Sequence, residues 1–141
     1  MKKLLFLPIA VLLAVMSCNS QKTVAAQEKP VITNDTIRIA NDELQYEVIV
    51  IDAGFAGWFN AHAKPRSYYS QDYLEARNQV WVSEWNIRAT QPQRYGDMYG
   101  MPIDYSPNVD YGLEVNYMLY YYLTYFQITN KLQLGGFRPH I

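Results

Sequence analysis

The chain has 141 residues, with twelve Lys and Arg against thirteen Asp and Glu, a net charge of −1, and half of its residues hydrophobic. That length supports one domain with one modest core, and the weak negative charge argues against nucleic acid as a partner. Cys18 is the single cysteine, which precludes an internal disulfide or a thiolate zinc cluster.

The first element reads as an export signal. Lys2 and Lys3 form a positive start, and LLFLPIAVLLAV is an apolar stretch of signal-peptide length, shorter than the ~20 residues of a membrane span. The stretch closes on Val15-Met16-Ser17-Cys18, and a small residue directly before cysteine resembles the lipobox of bacterial lipoproteins. The resemblance implies that residues 1–17 are a lipoprotein signal peptide, removed before Cys18, and that Cys18 is the lipidation site and membrane anchor. Two or three acyl chains hold firmly, because each buried methylene contributes about 0.8 kcal/mol. Lipidated, Cys18 offers neither a nucleophile nor a metal ligand. By the sorting pattern of enterobacterial lipoproteins, Asn19 implies the outer membrane; NSQKT lacks an acidic export run, so the domain is expected to face the periplasm. Residues 18–35 read as a lipid-anchored flexible tether, without period or aromatic residue, reaching about 20–25 Å as a coil. With Lys2 and Lys3 removed, ten basic residues remain against thirteen acidic ones, a net of −3.

Residues 36–141 read as a single α+β domain: a small β-hairpin packed on two long α-helices. Ile37-Arg38-Ile39 alternates like a one-sided strand and meets the turn formers Asn41-Asp42. In Tyr46–Ile51, YEVIVI, both Tyr46/Val48/Val50 and Glu47/Ile49/Ile51 are largely apolar, so both faces are expected to be covered. Phe55–Ala61 suits a short helix. Ser70 is an N-cap for a long helix to about Thr90, with Asp72 and Glu75 near its positive end. Loop follows, with Met101-Pro102-Ile103 as a possible edge strand. Ser106-Pro107 suits the start of a last helix, running to about Lys131 and stopped by Gly135-Gly136.

That last helix contains YMLYYYLTYF, residues 117–126, with five of the thirteen tyrosines. At 100° per residue Val115, Met118, Leu119, Tyr122, Leu123 and Phe126 form a core-facing stripe. Tyr117, Tyr120, Tyr121 and Tyr125 fall on a second face. Either the hairpin or the Phe55–Trp58 segment covers this face, or it is an exposed surface that holds a partner, since tyrosine offers large contact area at low entropic cost.

The helix before it places Arg77, Glu84 and Arg88 within an apolar arc with Trp81 and Trp85. Glu84 and Arg88 are i,i+4 neighbours that can pair, and Arg77 is one turn from Trp81 and could stack on it. The group is either a half-buried anion site or an ion-pair network reaching Asp104, Asp110 or Glu114. The candidate binding residues are therefore Arg77, Trp81, Glu84, Trp85, Arg88, Tyr117, Tyr121 and Tyr125. No catalytic residue, metal site or cofactor is assigned. His62 and His140 make a poor transition-metal set, no serine sits in a nucleophile elbow, and no phosphate-cradling glycine loop is present. Carboxylate chemistry stays open through Glu84, Asp104, Asp110 and Glu114, as a glycosidase-type pair.

The runs YEVIVIDAGFAGWF, RSYYSQDYLEARNQVWVSEWN, QPQRY and IDYSPNVDYGLEVNYMLYYYL resemble a family of small, functionally uncharacterised lipoproteins of Bacteroidota, over nearly the whole domain. The resemblance implies the lipoprotein address and transfers no catalytic residue. The expected role is a non-catalytic accessory or binding module for an envelope protein or a cell-wall glycan, held at the membrane through Cys18. The alternative is a carboxylate-based hydrolase acting on envelope glycan.

Overall fold

A computed structural model describes residues 35–141. The expected signal peptide, Cys18 and tether residues 19–34 lie outside the described residues. The fold is α+β, as the patterning predicts. Strands β1 (Thr36–Asn41) and β2 (Tyr46–Ile51) are followed by helices α1 (Ala53–His62), α2 (Gln71–Ala89), α3 (Pro92–Tyr95) and α4 (Gly112–Thr129). The strands pair antiparallel, from Thr36 opposite Ile51 to Asn41 opposite Tyr46. A two-stranded hairpin is marginal alone; here Ile37, Ile39 and Val50 turn inward and are buried, and β1 packs on α4.

The centre of the molecule is α4. Twelve of its eighteen residues are buried, and α1, α2 and β1 all pack against it. A helix apolar or aromatic all round is a core helix, and of the two alternatives for the tyrosine face, cover from within the chain is the one the structure shows. On the tyrosine face Tyr120 is closed by Tyr69, Tyr73 and Trp81, and Tyr117, Tyr121 and Tyr125 by α1. Phe59 meets the rings of Tyr117 and Tyr121 edge-on at 6.0 and 5.6 Å, and Phe55 lies 5.4 Å from Tyr125. The phenol hydroxyls then serve as backbone partners. The Tyr121 hydroxyl accepts from the Lys64 N–H at 2.8 Å, and the Tyr117 hydroxyl donates to the Lys64 carbonyl. Both backbone groups just beyond the end of α1 are thus satisfied from α4. The Tyr125 hydroxyl donates to Asp52 Oδ1 at 2.9 Å, and the same oxygen caps α1 by accepting from Gly54 N. A Cβ on residue 54 would run into the Tyr125 hydroxyl, so this closure requires glycine.

Ser70 caps α2 as expected, accepting from Tyr73 N at 3.2 Å. Four expectations need correction. The Glu47/Ile49/Ile51 face of β2 is open: Ile49 is 58 % and Ile51 79 % exposed. No described element packs there, and apolar pattern alone cannot distinguish a covered face from an open one. Met101-Pro102-Ile103 forms no strand, because side chains of α2 take its backbone groups. Trp85 Nε1 donates to Met101 O at 3.0 Å, while the Asn86 amide both donates to Ile103 O and accepts from Ile103 N. The last helix starts at Gly112, not Ser106-Pro107; Gly112 has φ +78° and its N–H is held by Asp110, so a helix from Pro107 cannot run through it. The end of α4 close to Lys131 is as expected, but the stop is Lys131 itself and not the Gly135-Gly136 pair. Lys131, at φ +54°, donates to Ile128 O, and Leu132 N reaches back to Gln127 O, the Schellman pattern of helix termination.

Candidate binding groove

One face of the domain carries a groove of about 450 Å³ lined by β2, α2, α4 and the segment 99–104. Its volume lies in the range of small-ligand sites. It is lined by β2 from Glu47 to Val50 and by Met101–Asp104, with Trp85, Tyr99 and Tyr122 as its aromatic lining.

Each lining group is held from behind. Trp85 is buried, with its ring T-shaped to Tyr99 at 5.2 Å and 6.1 Å from Tyr122. Its indole N–H fixes the Met101 carbonyl, so the same residue sets floor and wall. Tyr99 is pinned by Arg88, whose guanidinium donates to its hydroxyl at 2.8 Å, to Glu84 at 2.8 Å and to the Gln133 carbonyl at 2.9 Å. Tyr122 is only partly covered. Burial, then the nearby Asp52 carboxylate, pushes its phenol up to about 12, so it is neutral near pH 7. At the rim Ile49 and Met101 stand in solvent, Met101 at 82 % exposure. Glu47 is paired with Arg38 at 3.2 Å. Asp104 has no ion-pair partner among the described residues.

The structure scatters the residues that sequence reasoning grouped. Trp85 lines the groove, and the Glu84–Arg88 pair braces it. Arg77 belongs elsewhere: its guanidinium lies 3.3 Å above Tyr73 and 4.8 Å from Phe137, not on Trp81. Trp81 is fully buried, 5.3 Å from Tyr120, and donates to Phe137 O. Arg77, Glu84 and Arg88 therefore form no single network, and Arg88 reaches Tyr99 and Gln133 rather than Asp104, Asp110 or Glu114. Tyr117, Tyr121 and Tyr125 are buried under α1, so they offer no docking surface. The four carboxylates weighed as an acid–base pair stand apart, with Asp110 accepting from Gln71 Nε2 and from the Gly112 N–H at the start of α4. Glu114 pairs with Arg66, Glu84 with Arg88 beside a separate depression, and Asp104 lines the groove. Sequence reasoning missed Tyr99, and it assigned Tyr122 to the core stripe. The signal for the groove was YEVIVI itself, whose second apolar face had no partner helix left to cover it.

A model of one protein family matches residues 5–139. The chain belongs to DUF6146, a family of unknown function. No curated protein and no solved structure matches it. The DUF6146 match spans the described domain and brings no site residue with it, so the groove stands on its geometry alone.

Proposed function

We propose that this DUF6146 protein is a lipid-anchored envelope protein, held through Cys18 at the periplasmic face of the outer membrane, whose domain is a non-catalytic binding module. The observation that carries the reading is the groove. Ile49 and Met101 stand exposed at its rim over a floor of Trp85, Tyr99 and Tyr122. Contiguous exposed apolar surface rimmed by polar groups marks an interaction site. Glu84 and Glu114 are each occupied by an arginine, which favours binding over carboxylate hydrolysis. The anchor rests on the Val15–Cys18 pattern, and the periplasmic orientation on Asn19 and the residues after it.

The test is site-specific photocrosslinking in cells. A photoreactive residue at Ile49 or at Met101 should yield one common adduct that the same residue at exposed Gln93 does not. Adducts that are identical from all three positions, or absent from positions 49 and 101, would contradict the module.

A further inference from the structure

The hairpin ladder decides which backbone groups of β2 are free. Thr36 stands opposite Ile51, Arg38 opposite Ile49 and Ala40 opposite Glu47. One step beyond, Asp52 N donates to Asp35 O at 3.0 Å, so Asp35 and Asp52 form a hydrogen-bonded pair. Antiparallel pairs alternate between bonded and non-bonded. Ile37/Val50, Ile39/Val48 and Asn41/Tyr46 are then the bonded pairs, and Glu47, Ile49 and Ile51 direct their N–H and C=O groups away from β1. Those groups face the free edge of β2, and among the described residues none bonds them across the groove.

The Met101–Asp104 segment cannot supply the missing partners. Met101 O and both backbone groups of Ile103 are held by Trp85 and Asn86, and Pro102 has no N–H. An open row of donors and acceptors beside an aromatic floor matches strand addition, in which main-chain bonds give affinity and alternate side chains give specificity. We propose, building on the groove reading, that the occupant is an extended peptide segment of a partner protein, added to the free edge of β2 as a third strand. Its alternate apolar side chains lie on Trp85, Tyr99 and Tyr122, and a Lys or Arg meets unpaired Asp104. A single strand suits the groove better than a second copy of this hairpin. The β2 edge of a second copy, YEVIVI, carries Glu47 and no Lys or Arg to meet Asp104.

The test uses full-length protein in detergent as bait for a displayed library of random seven-residue peptides. The expected winners alternate apolar residues and carry a Lys or Arg. A selected peptide should bind at least tenfold more weakly after N-methylation of its alternate amides, and tenfold more weakly to Asp104→Lys. Ile49→Pro should weaken it similarly, because proline deletes an outward N–H while leaving the ladder to β1 intact; Ile49→Val should not. The methylated peptides act on the unaltered protein, so they decide the matter even if Ile49→Pro fails to fold. Failure to enrich any peptide, or methylated peptides that bind as well as the parent, would overturn the proposal. So would binding seen only when the chain begins at Asn34, which would give the edge to the protein's own leading segment. A dimer dissociated by Ile49→Pro would give it to a second copy, with the same consequence. If in-cell adducts at positions 49 and 101 persist while peptides fail, strand addition falls and the groove reading stands. Loss of both removes both.

Discussion

Replacing Tyr121 with phenylalanine keeps the ring among Phe59, Tyr117 and Tyr120 and removes only the acceptor of the Lys64 N–H. Lys64 lies just past the Ala63 C-cap and before Pro65, which has no N–H of its own. The Tyr121 hydroxyl is the acceptor of the part-buried Lys64 N–H, and an unsatisfied donor costs about 1–3 kcal/mol when sealed from water, so the low end of that range applies. Tyr117→Phe removes the donor to the Lys64 carbonyl, with a cost of about 1–2 kcal/mol on the same grounds. The two hydroxyls hold one residue. Once the first is lost, the Lys64 segment loosens toward water and the second loss should cost less. A double-mutant cycle by urea unfolding should thus return a coupling of about 0.5–1.5 kcal/mol, with the double variant more stable than the sum of the single losses implies. Single losses below about 0.5 kcal/mol, or strict additivity, would refute the view that these tyrosines act as backbone clamps.

Alkali should unfold the domain. Tyr117, Tyr120 and Tyr121 are fully buried, and burial raises the pKa of all three, Tyr121 to about 12. A phenol with a raised folded pKa keeps its proton longer in the folded state, so its contribution is complete below the unfolded value of about 10 and falls as pH rises above it. These three together should remove about 4 kcal/mol by pH 11. Phenolate absorbance should then appear in one cooperative step with loss of helical circular dichroism; a smooth titration of the tyrosines with the helices intact would contradict it. Lys131→Gly should stabilise by about 0.5–1 kcal/mol in thermal unfolding, because residue 131 holds φ +54° in the helix-terminating turn. Cys18→Ala should abolish metabolic labelling with an alkyne fatty acid and leave an uncleaved precursor; normal labelling would remove the anchor from the account.

The hairpin, the Ser70 cap and the two long helices were legible because each is signalled locally: alternation, a capping residue, helical spacing. What lay beyond reach was the order of burial around α4. Tyr122 sits on the computed core stripe yet is the partly exposed tyrosine of the run, while Tyr117, Tyr120 and Tyr121 are sealed. Helical projection ranks faces by polarity, and a tyrosine counts as half polar until its hydroxyl finds Lys64 or Asp52, more than fifty residues away. The same limit hid the groove. Ile49 and Ile51 look like core residues in YEVIVI, and only the packing of α4 on the face that buries Ile37, Ile39 and Val50 leaves them outside. Arg77 went to Tyr73 and Phe137 because the C-terminal segment folds back over α2, a long-range contact with no sequence period. Asn86 carried no apparent role in the pattern, yet it replaces a strand as the partner of Ile103.

The division between a sealed tyrosine core and an open groove is tested most directly by the unfolding free energy of Ile49→Glu/Met101→Glu measured beside that of Tyr121→Ser. The groove variant should stay within about 0.5 kcal/mol of the unaltered protein, as substitutions at uncovered positions do, while Tyr121→Ser should lose about 3–5 kcal/mol through cavity and lost hydrogen bond. A groove variant that loses more than about 2 kcal/mol, or a Tyr121→Ser variant that loses almost nothing, would contradict it.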